Sequence, residues 1–150
     1  MKQLIITRGV PGAQKSEWSR QWVAENPKER ARVSRADIRM QLFGVLHGCD
    51  ERAVSLAQNG TIRGLMVANF NIVVDGTNLN PRFLKPLFAL ADSHHYAVTV
   101  KDFYISFDEA VLRDLNSDEP MGAEVIGGFF DRYLKNGRFP AIEIPERTAA

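Results

Sequence analysis

The sequence predicts an α/β fold in three layers, a parallel sheet of four to five strands with helices on both faces. Three observations carry that expectation. Short apolar runs of strand length, Gln3–Thr7 and Asn71–Asp75 above all, have uncharged interiors, which suits strands buried on both faces. Between such runs stand segments with apolar residues at helical spacing, so strand and helix alternate, the pattern of right-handed crossovers onto a parallel sheet. A glycine-bearing turn, Gly9 to Ser16, joins the first strand to the first helix.

In chain order, Gln3–Thr7 is the first strand, and residues 15–25 place Trp18, Gln21, Trp22 and Glu25 at helical spacing until Asn26-Pro27 stops the pattern. Trp18 and Trp22 read as helix core. Ala31–Ser34 is a second strand, and Asp37–Val45 carries Ile38, Leu42 and Val45 on one helical stripe. A longer helix spans about Asp50 to Asn69, where Gly60 and Gly64 threaten its continuity. Asn71–Asp75 is the cleanest buried strand. Asn80-Pro81 then caps and opens a helix that Pro86 should kink. Tyr96–Ile105 alternates as a strand, and Ser106-Phe107-Asp108-Glu109 is a capping box for the next helix. Residues 122–135 form the last helix, and Ile142-Glu143-Ile144 reads as a final edge strand between Pro140 and Pro145.

With 150 residues, 45% apolar and 25% charged, the chain fits one domain with a real core. Its 19 basic and 18 acidic residues leave a net charge of +1, which excludes a global coat for nucleic acid or membrane but leaves room for a local basic patch. Cys49 has no second cysteine to pair with, and no charged-then-apolar leader opens the chain, so a reducing, cytoplasmic setting is expected. Cys49 itself reads as a small buried apolar residue. No apolar run approaches the ~18 residues of a membrane span. His47, His94 and His95 show no metal-ligand spacing with Cys49 or with paired carboxylates.

The turn after the first strand carries the chemistry. A phosphate-binding loop reads G-x-x-x-x-G-K-[ST]: backbone N–H groups cradle the phosphates, the lysine reaches their oxygens and the hydroxyl holds Mg²⁺. Gly9, Lys15 and Ser16 fit that pattern, and Gln14 replaces the second glycine. Ligands of such sheets bind at the carboxyl ends of the strands. The glycine turn, the Ser34–Arg39 junction and the Asp75–Pro81 junction all lie at strand ends, so three segments should converge on one crevice.

These segments, in this order and spacing, resemble the kinase domain of bacteriophage polynucleotide 5′-kinases, within the wider group of small P-loop kinases. The match runs through Gly9, Pro11, Gly12, Ala13, Lys15, Ser16 and Trp18, then Ser34, Arg35, Asp37 and Arg39, then Asp75 and the run Thr77-Asn78-Leu79-Asn80-Pro81. The resemblance implies a P-loop NTPase/kinase fold, ATP and Mg²⁺ as cofactors, and transfer of the γ-phosphate to the 5′-hydroxyl of a DNA or RNA end. For a phage-encoded chain the setting is the cytoplasm of the infected host. By position, the resemblance assigns Gly9, Gly12, Ala13, Gln14, Lys15, Ser16 and Glu17 to the nucleotide and Ser16 and Asp75 to the metal. It assigns Lys15, Ser16, Arg39 and Asp75 to catalysis, and Arg35, Asp37, Arg39, Thr77 and Asn78 to the acceptor. Some members add a C-terminal phosphatase domain; the expectation here is a single kinase-like domain over residues 1–150 without one.

Five positions depart from the family pattern. Gln14 stands where a glycine brings backbone against phosphate, commonly at φ > 0. Glu17 replaces a threonine and puts a negative charge near the phosphates. Ala36 occupies the position of the aspartate that accepts the hydroxyl proton. Gly76 occupies that of the aspartate before Thr-Asn, and Asp75, one residue earlier, should face the opposite way. The lid segment Asn116–Gly122 is acidic where the family has arginine, with Arg113 the nearest basic residue.

Transfer needs a cradle, a metal, a base and cations on the moving group. The departures touch most of these, so the expected function is that of a pseudokinase, the fold kept as a nucleic-acid- or protein-binding or regulatory module. The alternative is an active polynucleotide 5′-hydroxyl kinase in which Asp75 or Asp37 takes over the missing role. Nucleic-acid ends would dock through Arg35, Arg39, Arg82 and Lys85, which read equally as solvated helix faces. A protein target would meet Phe83, Phe103, Tyr104 or Phe107, most of which read as core.

Overall fold

The computed structural model describes residues 1–144. Its elements are β1 (Gln3–Arg8), α1 (Lys15–Glu25), β2 (Arg30–Ser34), α2 (Arg35–Phe43), α3 (Glu51–Val67), β3 (Asn71–Asp75), α4 (Pro81–Ser93), β4 (Ala97–Asp102), α5 (Phe107–Leu115) and α6 (Ala123–Tyr133), closed by a 3₁₀ turn at Lys135–Gly137. The strands form one parallel sheet in the order β2-β3-β1-β4, with Leu4 opposite Ile72 and Val98, and Ser34 opposite Asp75. The connection from β1 runs to one edge of the sheet and that from β3 to the other. A crevice therefore opens between the carboxyl ends of these two strands.

Alternation along the strands divides the core between the sheet's faces. Leu4, Ile6, Ile72 and Val74 pack with Val54, Ile62 and Met66 of α3 and Leu84, Leu87, Leu90 and Ala91 of α4. Ile5 and Val73, one residue out of phase, are buried toward the opposite face. On the crevice side, α5 and α6 close a second cluster in which Ala110, Ile126 and Leu134 meet Val10 and Leu79, the residues just beyond β1 and β3. Side-chain caps start four helices: Ser34 accepts from the Asp37 N–H, Asp50 from Arg52 and Ala53, Asn80 from Arg82, and Ser106 from Glu109.

Several expectations are corrected. The sheet has four strands among the described residues, because Ile142–Ile144 joins no ladder; Pro140 just before it gives its carbonyl to Arg8 instead. The helix expected from Asp37 begins at Arg35, where Ser34 caps it, and stops at Gly44 with φ 70°. The following helix runs unbroken through Gly60 and Gly64, both on open surface. The fourth helix continues across Pro86. β4 is shorter than expected: Tyr96 precedes it and donates its hydroxyl to the Phe70 carbonyl at 2.6 Å, while the chain leaves the ladder at Phe103. Cys49 is only partly buried against the core. Among the described residues, no helix is long and apolar enough to cross a membrane.

Candidate functional site

The glycine turn lies at the mouth of the crevice, stitched to the end of β3. The Gly9 N–H donates to the Thr77 carbonyl at 3.0 Å, and a β carbon at Gly9 would stand 2.6 Å from the Phe103 carbonyl oxygen, so only glycine fits this approach. Thr7 accepts the Gly76 N–H on its hydroxyl, and the Asn78 side-chain amide donates to the Thr7 carbonyl at 2.8 Å. Asn78 therefore shapes the junction between β1 and β3 with the group it would offer a ligand.

Gln14 keeps the backbone shape of the glycine it replaces, with φ 66° and ψ 25° in the left-handed region, and its side chain is exposed without a cap bond. α1 starts at the next residue, so its first N–H groups, unpaired within the helix, open toward the loop. Lys15 is buried, and its Nζ donates to the Val10 carbonyl at 2.7 Å. Burial pulls its ammonium from 10.5 down to about 8, partly opposed by the negative charges of Asp75 and Glu17. Ala13, buried below the loop, closes the turn through an N–H bond to Val10. Ser16 is half-buried beside it.

Asp75, at the end of β3, faces this loop, and here the expectation of a reversed face fails. Its side chain is 3% exposed and lies close enough to Lys15 to act on its charge. Asp75 is still in the ladder opposite Ser34 and shares its face with Val73; the backbone leaves the ladder only at Gly76, whose N–H Thr7 gathers. Arg32 of β2, 13% exposed, places Nε 2.8 Å and Nη2 2.7 Å from Asp75 Oδ2, and donates Nη1 to Asp37 at 2.6 Å. Asp37 is thus drawn toward Asp75, while its side chain stays 60% exposed. Ala36, exposed at the start of α2, presents only a methyl group.

Arg35 and Arg39, the two arginines the resemblance assigns to the acceptor, share one carboxylate. Arg39 grips Glu51 through Nε and Nη2, both at 2.9 Å, and Arg35 reaches the same carboxylate at 2.8 Å, donates to Ser55 and lies over the Phe83 ring. These bonds, Arg39 first, hold the Glu51 carboxyl down at about 2. A cation also stands at the loop: Arg113, in the last turn of α5, donates Nη1 to the Gly12 carbonyl at 2.6 Å. The acidic segment after it is folded back by buried Asp114, which accepts the N–H groups of Met121 and Gly122.

The structure therefore gathers Gly9, Gly12, Ala13, Gln14, Lys15, Ser16, Glu17 and Asp75 around the loop, links Asp37 to Asp75 through Arg32, and joins Arg35 and Arg39 on Glu51. It adds Arg32, Glu51 and Arg113. An arginine inside a short strand next to buried Val33 was the one local signal for Arg32, and Arg113 stood out as the basic residue nearest the acidic segment; Glu51 had no signal. Trp18 and Trp22 are half-buried rather than core. They stack on each other with centroids 6.4 Å apart, capped by Lys101 and Arg30. Phe83, Tyr104 and Phe107 are exposed, and Phe103 packs edge-on against Trp18.

Mg²⁺ is the metal the resemblance implies, with Ser16 and Asp75 as its groups. The fit is poor: Asp75 already carries a guanidinium held by hydrogen bonds, and a divalent cation on the same carboxylate would meet that charge. Among the described residues, no group of three or more His, Cys, Asp or Glu side chains gathers elsewhere to hold a metal.

A glycine turn between the first strand and helix of a parallel sheet, with a buried lysine at the helix start, defines a P-loop kinase-like fold. The chain belongs to the AAA domain family, which it matches over residues 4–118. Among solved structures it is similar to a chain of the Pnkp1/Rnl/Hen1 RNA repair complex, at 22% identity and a TM-score of 0.72, covering 84% of this chain and 42% of that one. Kti12 of Chaetomium thermophilum, solved with ADP-AlF3, matches at 18% identity and a TM-score of 0.68, covering 87% of this chain and 79% of Kti12. A protein of Chloroflexus aurantiacus matches at 13% identity and a TM-score of 0.72 over 97% of this chain and 84% of its own. At these identities the likeness is one of fold. The chain spans less than half the length of the RNA-repair chain it matches.

Proposed function

We propose that the chain is a polynucleotide-kinase-like module that binds the phosphate groups of a nucleotide or of a nucleic-acid end, with phosphoryl transfer lost or severely slowed. One observation carries the reading: Ala36 holds the position of the proton acceptor, and Asp37 and Asp75, the carboxylates beside it, are both engaged by Arg32. A missing general base removes about 10²–10⁴-fold in rate. What remains is cationic and suits binding: Lys15 and Arg113 at the loop, Arg35 and Arg39 beyond it. The nucleotide analogue in the Kti12 structure and the RNA-repair setting of Pnkp1 support these ligand classes.

The test is transfer of radiolabelled phosphate from ATP to 5′-hydroxyl DNA and RNA oligonucleotides. No incorporation above that of a Lys15→Ala control is expected, and incorporation above it would sink the proposal. The exposure of Asp37 favours one second reading, an active 5′-kinase in which Asp37 takes the proton. In that case incorporation appears with the wild type and is abolished by Asp37→Asn.

A further inference from the structure

Arg32 is a cation where the sheet has little room for one. It sits on β2 beside buried Val33, its side chain is almost enclosed, and its nearest groups are two carboxylates from different elements. Charges alternate from the loop across the crevice: Lys15, Asp75, Arg32, Asp37. Each inner member lies between charges of opposite sign.

Asp75, buried at the end of β3 and close enough to Lys15 to act on its charge, is the carboxylate the loop would share with a metal ion. To serve one, it would have to release the Nε and Nη2 bonds of Arg32, leaving a nearly buried guanidinium with Asp37 alone, itself open to solvent. A buried cation stripped of its partner is strongly disfavoured. Left in place, Arg32 already neutralises Asp75. A guanidinium also carries five N–H donors; Nε donates to Asp75 and Nη1 to Asp37, with Nη2 in ion-pair contact with Asp75, so N–H groups remain for an anion's oxygens.

We propose that Arg32 stands in for the divalent cation at the Asp75 carboxylate, so that the loop takes the phosphate groups of a nucleotide in metal-free form. The proposal rests on the reading that this loop binds phosphates. Lys15, Arg32 and Arg113 provide the positive charge that a metal ion provides elsewhere. Arg32 and a divalent cation are alternatives at one carboxylate.

The experiment is calorimetric titration of the full chain with ATP, in excess Mg²⁺ and in EDTA at matched ionic strength. The wild type should give dissociation constants within about threefold of each other, whereas in Arg32→Gln, which keeps an N–H donor for Asp75 and removes the charge, Mg²⁺ should tighten binding by about tenfold or more. Tightening of that size with the wild type overturns the proposal while leaving phosphate binding intact. Absence of ATP binding by the wild type in both buffers overturns the phosphate-binding reading and the proposal together. Mn²⁺ gives an independent readout: the paramagnetic resonance spectrum of Mn²⁺ with ATP should be unchanged on adding wild-type protein, and should change on adding Arg32→Gln. If Arg32→Gln fails to fold by circular dichroism, the wild-type comparison in the two buffers still decides.

Discussion

Gln14→Gly isolates the backbone conformation of the loop from everything the side chain does. At φ 66° and ψ 25°, a residue with a β carbon is strained by about 1–2 kcal/mol. Glycine removes that strain but gains freedom in the unfolded chain, which returns about 0.4–1 kcal/mol. The glutamine side chain is exposed and makes no cap bond, so nothing else is lost. Gln14→Gly should therefore stabilise the fold by about 0.5–1 kcal/mol and raise Tm by roughly 2–3 °C. Gln14→Ala, which keeps the β carbon, should not. Urea and thermal unfolding followed by far-UV circular dichroism measure both variants. If glycine leaves stability unchanged or lowers it, or if alanine gains as much, the left-handed strain assigned to this position is wrong.

Two further outcomes follow from buried charges. Lys15 titrates near 8 when folded against 10.5 in the unfolded chain. The unfolded state binds the extra proton within that window, so stability rises with pH across it, by about 3 kcal/mol, and the penalty is fully present below pH 8. In Lys15→Met that rise should vanish, and urea midpoints with the same pH slope in both proteins would refute it. Asp114→Ala leaves the N–H groups of Met121 and Gly122 without their acceptor, at a cost of about 2–3 kcal/mol. Limited proteolysis should then cut segment 116–122 faster than in the wild type, and an unchanged cleavage rate would show that Asp114 does not hold the lid.

The parts of the molecule legible in the sequence are those specified locally. β1, the glycine turn and α1 follow from an uncharged apolar run, Gly9 and the Asn26-Pro27 stop, and α1 occupies the expected residues. Convergence of three strand ends on one crevice needed only the crossover rule and the order of elements. Pairings between distant side chains were not legible. Arg32 meets Asp75 across 43 residues, Arg35 meets Glu51 across 16, and Arg113 meets Gly12 across 101; no periodicity marks such contacts. The misplaced face of Asp75 has a different cause. Alternation still holds at Asp75, which pairs with Ser34 and shares its face with Val73; it fails at the next residue, Gly76, where the backbone enters a turn shaped by Thr7 and Asn78, so the side expected from position 76 could not be used to place Asp75.

Gln14 brings the two levels together. The sequence rule treats a side chain in place of glycine as a reason for the loop to change shape, yet the left-handed turn persists without the residue that favours it. The turn must then be imposed from outside. Gly9 is bonded to Thr77, Ala13 to Val10, Lys15 reaches back to Val10, and Arg113 holds the Gly12 carbonyl from above. These contacts tie the loop to β3, to its own start and to the lid, and together they outweigh a strain of about 1–2 kcal/mol at one residue. On the proposed reading, a phosphate would enter by exchanging the bonds that Lys15 and Arg113 make to the loop's own carbonyls for stronger ones to its oxygens.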